Sequence, residues 1–183
     1  MSGQDGKRAA AIEMADPLVR VTDRVTLGTK SESLQQLAVL VTGARVLPLH
    51  RVPYDNWCFD RDSCLDAISA VLGAETTLIV RSSARIEGAK GAALSGAYRS
   101  VLGVDSREAL SVAIDAVFAS YEPPRAGDEV LIQPQLTGAK ASGVATSIDP
   151  NSGAPYRVIS WAAGPDTTLV TAGKSDAVRT WYC

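Results

Sequence analysis

The fold turns on Leu78–Val104, "LIVRSSARIEGAKGAALSGAYRSVLGV". An apolar run, Leu78-Ile79-Val80, meets Arg81-Ser82-Ser83 and gives way to a loop of Gly, Ala and Ser. An apolar, helix-like pattern follows. A continuous apolar run with β-branched residues is the pattern of a strand buried on both faces. In α/β proteins, functional groups collect outside the carboxyl ends of such strands. A guanidinium placed there grips phosphate oxygens with two parallel hydrogen bonds. Gly88, Gly91 and Gly96 let backbone N–H groups approach an anion closely. The helix-like run from about Ser95 adds a positive helix N-terminus. The competing reading is a solvated loop and an arginine paired with a nearby carboxylate. Neither GxxxxGK[ST] nor GxGxxG is present.

Working outward, Val19, Val21 and Val25 alternate as in a short strand. Gly28 to Ser33 reads as a turn into a helix with Leu34, Leu37, Ala38 and Val41 on one face, stopped by Gly43. "ARVLPLHRV" is expected to be extended. Asp60 or Asp62 caps a helix through "SCLDAISAVLG", closed by Gly73. "SREALSVAIDAVFASY" predicts a helix with Ser106 as its cap, Glu108 in its first turn, and an apolar stripe of Leu110, Ala113, Ile114 and Val117. "EVLIQPQL" reads as a second buried strand. "ASGVATSID" and "YRVISWAAG" form a hairpin pair around "DPNSGAP". One or two short strands are expected in "TTLVTAGKSDAVRTWYC". The pattern predicts an α/β or α+β domain, a mixed sheet with flanking helices, over residues 19–183 after a polar leader at 1–18.

Composition narrows the function classes. The 183 residues are 46% hydrophobic and 21% charged, ordinary for a globular protein. A formal net charge of -2 gives no broad attraction to nucleic acid or to an anionic membrane. No apolar run approaches the roughly 18 residues that span a bilayer. "MSGQDGKRAAAIEMADP" lacks the apolar centre of a secretory signal. The spacing of Cys58 and Cys64 is neither a CxxC redox pair nor a usual zinc spacing. With Cys183 they read as free thiols of a cytoplasmic protein. His50, the one histidine, has no acid or nucleophile beside it in sequence, and no GxSxG elbow supports a triad. Gly28-Thr29-Lys30 is a second Gly-Lys turn at a helix start, in itself the pattern of a solvated lysine. Gln133, among apolar neighbours, can hydrogen-bond a base edge or satisfy an adjoining strand.

"LGTKSESL", "LIVRSSARIEG", "LSGAYRSVLGV", "VLIQPQL", "SGVATSIDPNSG" and "LVTAGK" occur in the order found in phosphoenolpyruvate synthases and pyruvate phosphate dikinases. The chain resembles their N-terminal ATP-grasp nucleotide-binding domain, which rifampin phosphotransferases share. That resemblance implies an ATP-grasp N-terminal lobe that holds ATP for phosphoryl transfer to a histidine on another domain or chain. It implies Lys30 and Arg81 on the phosphates, Gly96 and Ser100 in the phosphate-covering loop, and Gln133 near the adenine. The sequence departs from the family where Thr29 and Ser31 replace glycines around the lysine. Glu87-Gly88 stands for Glu-Asp, Leu94-Ser95-Gly96 for Phe-Ala-Gly, and Leu47-Pro48-Leu49-His50 for Pro-Pro-Gly.

The resemblance also implies Mg2+, with acidic ligands from a lobe or partner outside these residues. ATPase activity of the chain alone would overturn this and point to acids such as Asp149 or Asp166 as replacements. The chain alone is then expected to be inactive and to bind a partner, or itself, through an open nucleotide face. The alternatives are a stand-alone binding or regulatory protein that kept the fold, and part of an antibiotic phosphotransferase.

Overall fold

The computed structural model describes residues 28–85, 99–121, 123–166, 169–172 and 177–183. The expected strand at Val19–Val25 and the loop residues Gly88, Gly91 and Gly96 lie outside them. Helix α1 (Lys30–Leu40) begins within the expected turn, because Thr29 and Glu32 close a reciprocal capping box. Glu32 N donates to Thr29 Oγ1 at 3.2 Å, and Thr29 N donates to Glu32 Oε2 at 2.9 Å. Strand β1 (His50–Pro53) leads directly into a short helix, α2 (Tyr54–Phe59), which sequence reasoning missed. Helix α3 (Arg61–Leu72) is capped by Asp60, whose carboxylate accepts from Ser63 N at 3.0 Å, and Gly73 ends it at φ 87°.

Strand β2 (Leu78–Ser83) runs two residues past Arg81. Strand β3 (Ser100–Val104) corrects the helix-like reading of this segment. Val101 pairs with Val80 and Val104 with Leu78, so three residues of β3 span two of β2. A bulge with Gly103 at φ 71° absorbs the extra residue. It puts Val101 and Val104 on one face at a helical spacing. Helix α4 (Arg107–Phe118) buries its expected stripe and takes the expected Ser106 cap. A single 3-10 turn, Ala119–Tyr121, precedes the loop to β4 (Glu129–Pro134).

The first sheet has the order β1-β4-β2-β3, with every pair antiparallel. Helices and sheet mix as expected, although the described strands pair in one sense only. Side chains alternate across a strand, so Val52, Val80, Val130 and Ile132 share one face with Val101 and Val104. That face packs on Leu65 and Ile68 of α3, on Leu110, Ile114 and Val117 of α4, and on Trp57 of α2. Asp115 ties the layer together: it accepts from Trp57 Nε1 at 2.8 Å and pairs with both terminal nitrogens of Arg61.

A second sheet, order β5-β6-β7, comprises β5 (Ala141–Thr146), β6 (Val158–Ala163) and β7 (Arg179–Tyr182), again antiparallel. The expected hairpin is the β5–β6 pair. A short helix, α5 (Leu169–Ala172), lies against those two strands. No described helix is long and apolar enough to cross a membrane.

Candidate functional site

The face of the first sheet opposite α3 and α4 carries the polar side chains. Pairing register sets Arg51, Leu131, Arg81 and Ser100 in one row across all four strands. Two residues along, about 7 Å away, Glu129 pairs with Ser83. Two residues the other way, Gln133 pairs with Ile79. Arg81, Ser100 and Gln133, which the resemblance implies at the nucleotide, therefore lie on one face. Arg81 sits between the Glu129 end and the Gln133 end. Ser100 is exposed, Arg81 half-buried and Gln133 buried.

Lys30 comes to the end of β2 from α1. Its Nζ donates to Ser82 O at 2.9 Å, one residue beyond Arg81 on β2. An ammonium has three donors and a long flexible stem, so the placement depends on how its backbone is held. Thr29 Oγ1 and Ser31 Oγ both donate to Glu129 Oε1. Ser31 N donates to Ser83 Oγ at 2.9 Å, and that hydroxyl lies 3.1 Å from Ser31 Oγ and 3.4 Å from Glu129 Oε1. The other carboxylate oxygen of Glu129 meets Arg51 Nε at 3.1 Å. Tyr121 closes the floor: its hydroxyl accepts from Ser83 N at 3.0 Å and donates to Glu129 O at 2.7 Å. Glu129 is only 3% exposed, so its charge depends on these donors.

Sequence reasoning missed Glu129, Ser83 and Arg51. A carboxylate opening an otherwise apolar strand, "EVLIQ", was the available signal, together with hydroxyls on both sides of Lys30. The backbone N–H groups of Thr29, Ser31 and Glu32 are taken by Glu32, Ser83 and Thr29. An anion at this end of α1 would therefore be met chiefly by side chains. Glu32 has its carboxyl held below the ordinary glutamate range, first by the N–H of Thr29, with further help from the Arg51 guanidinium.

His50 is elsewhere. It lies on β1 in a cavity of about 660 Å3 that also touches Arg51, Phe59, Asp60 and Cys64. Burial pushes the imidazole below its ordinary pKa. None of the four described site residues, Lys30, Arg81, Ser100 and Gln133, lines this cavity. Gly96 lies outside the described residues. Asp149 is spent on its own turn, accepting from Asn151 N at 3.1 Å and Ser152 Oγ at 2.5 Å. Asp166 O accepts from Ser142 Oγ. Among the described residues, no three His, Cys, Asp or Glu side chains gather as a metal site.

The family described as pyruvate phosphate dikinase, AMP/ATP-binding domain, matches residues 62–128. That segment runs from α3 to the turn before β4 and contains Arg81 and Ser100; Lys30 and Gln133 lie outside it. The resemblance to the N-terminal nucleotide-binding domain of these enzymes is thereby supported. No curated protein matches the chain. Among solved structures, the crystal structure of PH1788 from Pyrococcus horikoshii Ot3 is similar at a TM-score of 0.45 and 15% identity. The match covers 83% of this chain and 55% of that one. The chain thus spans about half the length of that structure.

Proposed function

We propose that this chain is the ATP-binding lobe of a dikinase-type phosphotransferase, holding ATP phosphates for transfer to a histidine on another domain or chain. The observation that carries the reading is the shared face: Arg81, Ser100 and Gln133 in register, with Lys30 docked beside the end of the same strand. Charge and order suit a nucleotide laid across the strands. Lys30 and Arg81 take the phosphates, Ser100 adds a hydroxyl, and the Gln133 amide meets the adenine edge. Gly96 belongs to the covering loop in this reading.

Catalysis of this type is mostly positioning and charge neutralisation. Lys30 and Arg81 would lower the repulsion between phosphate oxygens and whatever attacks them. Mg2+ would supply further neutralisation when bound. The resemblance assigns its acidic ligands to another lobe or a partner. Residues 19–183 form the lobe in this reading, and free thiols at Cys58, Cys64 and Cys183 suit a cytoplasmic location.

Calorimetry with ATP tests the assignment. Arg81→Ala is expected to remove roughly 1.5–3 kcal/mol of binding, as for a charge-assisted hydrogen bond. Unchanged binding with an intact fold would reassign Arg81 to a structural role. One observation favours a second reading, a binding or regulatory protein without turnover: the N–H groups around Lys30 are already used internally. ATP binding without phosphoryl transfer, even with every candidate partner chain, is the outcome that would select it.

A further inference from the structure

We infer that Glu129 is the positioning residue of Lys30. The inference rests on the phosphate-binding reading of Lys30 and assigns the device that aims it. Lys30 lies between Thr29 and Ser31, and the hydroxyls of both converge on one oxygen of Glu129. Ser31 is tied a second time, through its N–H to Ser83 on β2. The chain on either side of Lys30 is thus pinned to two strands of the sheet. The ammonium end is anchored to a third point, Ser82 O.

A carboxylate suits this post for a definite reason. It offers two oxygens with about four acceptor sites and no donor. One oxygen collects the Thr29 and Ser31 hydroxyls, with Ser83 alongside, while the other faces Arg51. A neutral amide keeps one acceptor but turns an NH2 group toward either Arg51 or the hydroxyls. Thr29 and Ser31 stand where the family resembled here has glycines. Glu129 gives their buried hydroxyls a function: the cap and first turn of α1 are held to the sheet on both sides of the lysine.

The test uses the full chain with lysines labelled at 13Cε, and ATP as the probe. The Lys30 signal is identified by its loss in Lys30→Ala. In Glu129→Gln that signal is expected to move to the position of solvated lysines, before any nucleotide is added. ATP affinity is expected to fall about tenfold, the size of one charge-assisted contact. In the Lys30→Ala background, Glu129→Gln should cause no further loss. A Lys30 signal that stays in place, or losses that multiply in the double variant, would overturn the inference. If Glu129→Gln fails to fold, Thr29→Val with Ser31→Ala removes the same two hydroxyl contacts and is read in the same way. If Lys30→Ala binds ATP like the wild type, the phosphate reading fails; the 13Cε signal still decides whether Glu129 holds Lys30.

Discussion

Arg51 lies on an edge strand, yet its Nε faces one of the least exposed charges among the described residues, Glu129 Oε2, at 3.1 Å. Removing one partner of a buried ion pair leaves the other charge in a poor solvent. Arg51 is 32% exposed and water can partly replace it. Arg51→Ala is therefore expected to destabilise the fold by about 2–3 kcal/mol, under the range for a fully buried pair. Urea unfolding measures this; a loss under about 0.5 kcal/mol would mean that the hydroxyls alone satisfy Glu129. Glu32 predicts a pH effect on the same corner. Its folded pKa is depressed, so the stability it contributes is present at neutral pH and is lost as pH falls through that lowered value. Amide exchange in the first turn of α1 should quicken on acidification below the ordinary glutamate range. Glu32→Gln should remove that pH dependence.

At the scale of elements, α4 is where local signals and packing agree. Ser106 Oγ accepts from Ala109 N at 3.1 Å, and Ser106→Ala should cost about 1 kcal/mol. Ile114 is fully buried between the sheet and α3, whereas Val112 on the opposite side of the helix is 69% exposed. Ile114→Ala is expected to cost about 3–4 kcal/mol and Val112→Ala almost nothing. Similar penalties at the two positions, read from denaturation midpoints, would contradict the assigned face. The capped and strongly amphipathic helices were legible for this reason: caps and stripes act within a few residues. β3 was not, because its bulge is a relation to β2 and leaves apolar residues at a spacing that a single segment reads as helical.

Across the whole molecule the two sheets differ in how much they bury. The first shares one core with three helices; in the second, Val158 and Ala162 are the buried apolar residues among those described. Trp181 and Tyr182 are largely exposed there, and Arg179 lies 5.4 Å above the Trp161 ring. Opening free energy follows buried apolar contact. Hydrogen exchange should therefore release β5–β7 well before β2 and β4, and equal protection in both sheets would sink this expectation. Several exposed apolar side chains lie on the second sheet; near Arg81, Leu131 is buried and Ile79 half-buried, while Leu102 of β3 is exposed. If a partner completes the nucleotide site, sedimentation should show association that strengthens with ATP; a monomer unmoved by nucleotide and candidate partners would argue against it.

The sequence by itself determined α3, α4, β2 and β4, and the hairpin of β5 and β6. These are consequences of periodicity, capping and turn chemistry, which are local. Only the tertiary structure decided that Arg81, Ser100 and Gln133 share one face, because a shift of register by one residue would send a strand's side chains to the opposite side. It alone joined Thr29 to Glu129 across 100 residues of chain. A buried carboxylate takes its partners from whatever the completed sheet brings within reach, and no local pattern encodes that meeting.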